Sequence, residues 1–498
     1  MGLFSRRDKA PKTEAPTLSA SQSKSSLTSG SSSIKSPGFS TSRILNRTSA
    51  ATMSSNPGTP PFSPGLNPGV PRIDIPKPPD PQLDPVGYLR SLGAVRERCK
   101  IVTEKALRNE LNHFDVDMHK FEDVVSFVAN IIKRDYDAPF TSIPGHGRHQ
   151  HFAIGGRDRI AHLLSTFPED VDNTEKCKRM IDLFLVSVLL DAGAGTQWSY
   201  KSNENGRIYR RSEGIAVASL EMFKTGLFSG NKNNKYQVDK DGLASLTVEK
   251  LAQGLQSGPG NEMAGIEGRA HLLIRLGQAL EEKTEFFGAD GRPGNMLDHI
   301  LDHPSTQATN GLIVPLPVLW NVLMSGLAPS NGVAPWESIL PFHKLTQWLT
   351  YSLMQPMQSI MKIQFAGQEL LTGLPEYRNG GLFIDLGVLT LKKEDMDRGL
   401  AHYTSYCERT GTKENEVAPM FEPSDDVIVE WRGVTVGFLD KLCVEVNKAL
   451  EKELQGNELT LAQMLEAGSW KGGREIAEVS RPNTKEPPIL IDSDGTVF

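Results

Sequence analysis

Apolar residues recur at spacings of three and four through most of the chain from residue 85 onward. This spacing places them on one face of an α-helix. The pattern occurs in residues 95–109, 118–134, 158–166, 177–190, 212–225, 264–282, 341–363, 440–454 and 460–467. Alternating strand patterns are few, and the clearest predicts a hairpin from residues 427–430 and 434–437. The sequence therefore predicts a mainly α protein, with one large helical domain over residues 85–498 and a few short β-hairpins.

The N-terminal region has a different composition, because Ser, Pro, Thr and Gly dominate residues 1–84. Such a segment buries too little apolar surface to offset the entropy of ordering it, so we expect a disordered tail. Ser36, Thr59 and Ser63 each precede a proline and could be phosphorylated. The segment has no signal-peptide core, and Arg6 stands where a myristoylation motif requires Ser or Thr. We therefore expect a cytoplasmic protein.

The overall composition argues against several classes of partner. The 498-residue chain has a formal net charge of −6, so we expect no nucleic-acid partner. No apolar run approaches the roughly 20 residues of a membrane helix, so we expect no membrane partner. The cysteines at positions 99, 177, 407 and 443 form no C-x-x-C pair, which is typical of reduced thiols. These features leave the oligomeric state open.

Three adjacent polar residues precede an apolar run in the stretch 371–390, LTGLPEYRNGGLFIDLGVLT. They are Glu376, Tyr377 and Arg378. Such groups are costly to bury unless they pair with each other or with a ligand. Two interpretations are open: a Glu–Arg ion pair that holds two helices together, or a ligand site. Glu369 is a further carboxylate just before this stretch.

The loop over residues 143–159 is the richest in polar side chains. Those that could bind a ligand are His146, Arg148, His149, His151 and Arg157. Interspersed glycines and guanidinium groups favour an anion cradle, with a helix expected to begin near Asp158. A solvated basic loop is the alternative. We expect no metal site, because no Asp, Glu or Cys completes an ordered ligand motif nearby.

An apolar run over residues 183–190 ends at Asp191, which small residues follow. Small residues here could make room for a ligand or for a tight helix crossing. Trp198 lies shortly after them, and its ring could stack on a planar ligand or fill the core. Asp191 and Trp198 are therefore candidate site residues with a structural alternative.

The stretch 371–390 resembles the queuosine-phosphate N-glycosidase family, which carries an L-T-x-F-x-D-Y-R segment. Glu376 stands where that family has Asp. Residues 190–198 and 429–433 resemble two further segments of the family, D-x-L-N-F-x-F-W and E-I-R-G. Residues 85–498 resemble more closely a fungal and bacterial family of unknown function that is tied to uracil catabolism. Residues 145–148, 155–159, 190–195 and 371–381 carry that second resemblance.

These resemblances imply a fold like that of helical DNA glycosylases and a metal-independent N-glycosidic hydrolase. Glu376 would be the catalytic carboxylate that stabilises positive charge on the sugar, with Asp191 and Glu369 as rivals. Tyr377 and Arg378 would contact that carboxylate or the sugar. The reaction would need no cofactor.

The expected substrate is a small phosphorylated ribosyl compound, either a ribosylurea or a pyrimidine ribonucleotide. Trp198 would stack on its leaving group, and the polar loop over residues 143–159 would hold its 5′-phosphate. Two other functions stay open at this point. One is an amidohydrolase acting on an opened pyrimidine ring, and the other is a non-catalytic protein that binds or senses a nucleotide.

Overall fold

The protein is described by a computed structural model over residues 75–191, 193, 197–327, 335–411 and 417–492. The expected tail falls largely on residues 1–74, outside the described residues, as do its three phosphorylation candidates. The helices are α1 Pro85–Arg90, α2 Leu92–Leu107, α3 Phe121–Asp135, α4 Arg148–Phe152, α5 Arg159–Ser165, α6 Asn173–Leu189, α7 Arg211–Thr225, α8 Lys240–Ala244, α9 Val248–Gly254, α10 Ile266–Glu282, α11 Thr284–Phe287, α12 Met296–Asp302, α13 Pro304–Gln307, α14 Leu316–Gly326, α15 Lys344–Met361, α16 Tyr377–Asp385, α17 Lys393–Thr410, α18 Asp426–Ala449, α19 Glu451–Leu454, α20 Leu461–Met464 and α21 Trp470–Ser480.

The strands are short and pair two by two. They are β1 Phe114–Val116, β2 Tyr200–Lys201, β3 Ile208–Tyr209, β4 Ile313–Pro315, β5 Gln364–Ala366, β6 Leu389–Leu391, β7 Met420–Phe421 and β8 Leu490–Ile491. β2 and β3 form an antiparallel hairpin, whereas β1 pairs antiparallel with the distant β6. The pairs β4–β5 and β7–β8 are parallel, so they are not hairpins. The prediction of a mainly α fold is confirmed.

The hairpin expected from residues 427–437 is wrong, because this stretch lies inside the 24-residue helix α18. The Asp425 side chain accepts a hydrogen bond from the Val427 amide and caps the helix. Buried residues on several sides of the helix explain why its apolar run lacked a clear helical period. The helix expected near Asp158 is confirmed, since Asp158 caps α5 through the Ala161 amide.

α6 lies at the centre of the fold, and its residues from Met180 to Leu189 are all buried. α15 and α7 pack against it, while α18 packs against α2 and α3. Helices buried on most sides read as near-continuous apolar runs, which is the pattern of residues 183–190. None of the helices in the described ranges is both long and apolar enough to cross a membrane.

α16 and α21 approach each other closely at Gly473. A Cβ atom at this position would lie 2.1 Å from the carbonyl oxygen of Arg378, so only glycine fits there. The side chains of Ser469 and Asn379 form a hydrogen bond of 2.8 Å beside this contact. The contact therefore fixes the start of α16 against the region where α21 begins.

Candidate active site

The residues of the 371–390 stretch and of the 143–159 loop meet at one cavity of about 370 Å³. The first turns of α7, α15, α16 and α21 reach it, together with part of α18 and the segment 486–491. Its ionisable and aromatic lining residues are His146, His151, Asp191, Arg211, Lys344, Trp348, Glu376, Tyr377, Arg378, Tyr406, Trp431, Arg432, Trp470 and Glu486. The cavity thus combines two predicted carboxylates with several cations and indole rings.

A second cavity of about 370 Å³ lies beside α5 and α7. Its carboxylates already have partners within the protein. Arg159 donates to Glu204 at 3.0 Å, and Ser202 donates to Glu221 at 2.8 Å. The first cavity is therefore the better candidate for chemistry.

Glu376 is the N-cap residue of α16. Its Oε1 accepts a hydrogen bond from the Asn379 amide at 2.5 Å, and its Oε2 accepts one from the Arg378 amide at 2.9 Å. The Arg378 guanidinium donates instead to the carbonyl oxygen of Lys485 at 2.9 Å. Of the two interpretations left open, the Glu–Arg ion pair is therefore not formed. The helix cap holds the Glu376 carboxylate rigidly at the cavity wall.

Asp191 follows the C-terminal end of α6 and forms a buried ion pair with Arg148. The distance from Arg148 Nη1 to Asp191 Oδ2 is 2.7 Å, and the side chains are 0% and 9% exposed. Arg148 also donates to the Ser187 hydroxyl at 2.8 Å, while its Nη2 has no hydrogen-bond partner among the residues that the structure describes. Burial raises the pKa of Asp191, although the Arg148 and Lys344 cations oppose this effect.

Positive side chains surround the two carboxylates. Burial lowers the pKa of Lys344, against the attraction of Glu376 and Asp191. Burial lowers the pKa of Arg432 to about 10. Burial and the neighbouring Arg378 cation lower the pKa of Arg211. Four cations therefore share the cavity with three carboxylates, and this small excess of positive charge favours an anionic ligand.

Arg211 is the first residue of α7 and has a positive φ of 54°. This left-handed conformation is unfavourable for a residue with a Cβ atom, and such strain is concentrated at functional sites. Arg211 Nη2 donates to the carbonyl oxygen of Thr484 at 3.3 Å. Two guanidinium groups held close together at one cavity are suited to an anion that accepts bonds from both.

Two indole rings and two imidazole rings form another part of the wall. The His146 ring lies 4.7 Å from Trp348 and 5.8 Å from Trp470, between ring centroids. The corresponding distances from His151 are 5.7 Å and 5.5 Å. Burial and the Arg148 cation hold the pKa of His151 well below its usual 6.5, so its ring is neutral near pH 7. This wall offers flat, largely apolar surface to a planar group.

Tyr377 also faces the cavity, since 38% of the residue is exposed and it lines the wall. Burial nevertheless raises the pKa of its phenol, although the Arg378 cation opposes this effect. The Arg378 guanidinium lies 4.9 Å from the centre of the Tyr377 ring. The predicted Glu376–Tyr377–Arg378 triplet therefore contributes all three residues to one wall of the cavity.

Five predicted residues lie outside the cavity lining. Glu369 is exposed, and Arg157 forms a surface ion pair with Glu204 at 2.8 Å. Trp198 is 1% exposed in the core, where its indole donates to the carbonyl oxygen of Leu255 at 2.9 Å. The His149 ring packs near Phe184, at 6.2 Å between centroids. Arg148 lies behind Asp191 and His151, which both line the cavity, and its Nη1 contacts each of them.

Sequence reasoning missed several lining residues. Lys344 and Trp348 are four residues apart on α15 and so share one face, but no local motif marks them. Trp470 begins α21, and Arg211 begins α7. Only the helix boundaries reveal that these side chains converge, and the strained φ of Arg211 has no sequence signature.

The family comparison covers nearly all of the described fold. A family model described as "Protein of unknown function (DUF1688)" matches residues 88–333 and 330–498. The chain belongs to the DUF1688 family. A relative from Lachancea kluyveri, "Uracil catabolism protein 4", is 41% identical over 446 residues, which are 83% of this chain and 99% of the relative. "Protein urg3" from Schizosaccharomyces pombe is 44% identical over 429 residues, covering 83% and 99%.

The cavity of this DUF1688 member is built from both matched segments of the family model. Asp191 and Arg211 come from the first segment, while Glu376, Arg378 and Trp470 come from the second. Among the described residues, no group of three or more His, Cys, Asp or Glu side chains is arranged to hold a metal ion.

Proposed function

We propose that this protein is an N-glycosidic hydrolase of uracil catabolism that cleaves the C1′–N bond of a phosphorylated ribosyl compound. The observation that carries the proposal is the meeting of Asp191 and Glu376 with an arginine pair and indole rings at one cavity. The name of the Lachancea relative supports the metabolic context. The substrate class follows from the chemistry of the cavity lining.

The carboxylates supply the negative charge that the reaction requires. Breaking a C1′–N bond builds positive charge on the sugar, and a fixed carboxylate stabilises that charge in the transition state. Asp191 is buried and is oriented by Arg148, so it presents a preorganised charge. Glu376 is fixed by two amide hydrogen bonds from the α16 backbone. Either carboxylate can face C1′ while the other orients the attacking water.

The arginine pair favours a phosphorylated substrate. Arg211 and Arg378 both line the cavity, and each contributes a guanidinium to an anion. A phosphate offers several acceptor oxygens and a charge that relieves the repulsion between them. In this proposal the arginine pair binds the phosphate that the 143–159 loop was expected to bind, since only His146 and His151 of that loop reach the cavity lining.

The indole wall favours a planar leaving group. Trp348 and Trp470 offer ring faces on which a pyrimidine or a urea group can stack. A ribosylurea phosphate and a pyrimidine ribonucleotide both combine such a leaving group with a phosphorylated sugar. Hydrolysis of either one releases ribose phosphate and needs no cofactor.

The test is a turnover assay with the purified full-length chain. Ribosylurea 5′-phosphate, uridine 5′-phosphate, uridine and an opened pyrimidine ring such as a ureido acid would be incubated separately. Release of ribose phosphate from a phosphorylated substrate, and much less release from uridine, would support the proposal. Release of ammonia or a carbamoyl group from the ureido acid alone would identify an amidohydrolase instead. Binding of the phosphorylated compounds without any product would contradict an enzymatic function.

A variant of the arginine pair allows phosphorylated and unphosphorylated ligands to be compared in the same assay. Replacing Arg378 by Gln removes one charged donor and should weaken phosphorylated ligands by about 1.5–3 kcal/mol. The same variant should change the affinity for uridine much less. Arg157→Gln is the matched control, since its guanidinium is paired at the surface with Glu204. Equal weakening of both ligands in Arg378→Gln would remove the phosphate from the proposal.

A further inference from the structure

His146 forms a buried hydrogen bond with the carboxylate of Glu466. The distance from His146 Nδ1 to Glu466 Oε2 is 2.6 Å, and the side chains are 1% and 13% exposed. An ionised carboxylate can only accept, so Nδ1 carries the proton in this pair. Among the described residues, no hydrogen bond joins His146 Nε2, and His146 lines the cavity. Nε2 is therefore the ring nitrogen available to a ligand.

Glu466 is placed by an unusual piece of backbone. It lies in a π-helical turn, Leu465–Ser469, between α20 and α21. Such turns are rare and occur often at functional sites, because the wider turn redirects one side chain. Ser469 in the same turn bonds to Asn379, whose amide is capped by Glu376. This turn therefore connects the His146–Glu466 pair, through hydrogen bonds, to Glu376 at the cavity wall.

Resting on the proposed N-glycosidic reaction, we infer that His146 is its general acid, and that Glu466 is the positioning residue that holds the imidazole. The leaving nitrogen of the substrate would lie within hydrogen-bond reach of His146 Nε2. Trp348 and Trp470, which flank His146, would hold the leaving group in that position. A carboxylate that accepts Nδ1–H fixes the orientation of the imidazole and leaves Nε2 as the ring nitrogen that can reach the leaving group.

The proton balance of the step is complete without another reactant. As the C1′–N bond breaks, its electron pair moves to nitrogen, which receives the proton from His146 Nε2. Water adds its oxygen to C1′, and the proton that this water loses returns to His146. The net change adds hydroxyl to the sugar carbon and hydrogen to the leaving nitrogen.

His151 is the other imidazole of the wall, but it is unsuited to this role. Its Nδ1 lies 3.1 Å from Arg148 Nη1, and the nearby cation disfavours a protonated ring. A neutral imidazole of low basicity cannot donate a proton near pH 7. The carboxylate partner of His146 therefore distinguishes the two rings.

The test compares two leaving groups in one enzyme preparation. A ribosylurea or pyrimidine 5′-phosphate needs protonation as it leaves, whereas a 4-nitrophenyl riboside 5′-phosphate does not. His146→Gln should lose about 10²–10⁴-fold in kcat on the first substrate and less than about tenfold on the second. The ratio of the two rates is independent of the folded fraction. Glu466→Gln should lose less on the first substrate and should move the alkaline limb of the pH profile of kcat/KM, where a general acid loses its proton.

The matched control is His113→Gln, because His113 and Asp395 form a similar pair at 2.8 Å outside the cavity lining. It should leave both rates unchanged. Equal losses on both substrates in His146→Gln would overturn the role of His146 while leaving the hydrolase intact. If His146→Gln does not fold, the same ratio in Glu466→Gln decides. Absence of sugar phosphate from both substrates with the unaltered protein would instead contradict the proposed function.

Discussion

Replacing Asp191 by Asn should destabilise the protein strongly, because it leaves the Arg148 guanidinium without its carboxylate partner. Arg148 is 0% exposed, and its other partners are the neutral Ser187 hydroxyl and His151 ring. Removing one partner of a buried ion pair typically costs about 3–5 kcal/mol. We therefore expect a loss of that size in the free energy of unfolding, measured by urea denaturation with an unchanged m-value.

A double variant separates the energy of the Arg148–Asp191 pair from the other effects of Asp191→Asn on stability. Arg148→Met removes the buried cation, so Asp191→Asn in that background should cost about 2 kcal/mol less than it does alone. The exposed i,i+4 pair of Lys393 and Asp397 supplies the control, since Asp397→Asn should leave stability almost unchanged. A loss below about 1 kcal/mol for Asp191→Asn, or strict additivity in the double variant, would refute the reasoning.

Three further outcomes are expected. Glu376→Gln weakens the α16 cap by about 0.5–2 kcal/mol and lowers turnover about a hundredfold or more; full turnover per folded molecule would assign the chemistry to Asp191 alone. As the pH is lowered below 6.5, the free energy of unfolding of His151→Gln should decrease less steeply than that of the unaltered protein. The reason is that the unfolded His151 ring takes up a proton in this range and the native ring does not. The change in slope approaches about 1.4 kcal/mol per pH unit and is read from urea midpoints across pH 5–7. Deleting residues 1–74 should leave the melting temperature and turnover nearly unchanged, and a large fall in either would show that the tail contributes to the fold.

The helices could be predicted from the sequence because burial on one face leaves a period of three to four residues. The same rule failed at α18, where Val427, Ile428 and Val434 are buried on several sides and the β-branched residues resemble a strand. Recognition of Asp425 as a helix cap would have corrected the hairpin prediction, but a carboxylate before an apolar run also occurs in turns.

The candidate site was only partly accessible to sequence reasoning. Adjacent residues such as Glu376, Tyr377 and Arg378 reach the cavity together because they begin one helix. Trp198 is more than 150 residues away from Glu376 in sequence, and its ring lies in the core and not at the cavity. Composition and spacing show that a tryptophan will be buried, but they do not show on which side of the helix packing it will lie.

The segment 486–491 forms part of the cavity wall, and β8 within it pairs with β7. It is synthesised about 340 residues after His146. At about 5–20 residues per second on the ribosome, that separation corresponds to roughly 20–70 seconds. During this interval, the parts of the cavity wall that have already been synthesised do not yet enclose the cavity. The cavity therefore gains its complete wall only after residues 486–491 have been synthesised.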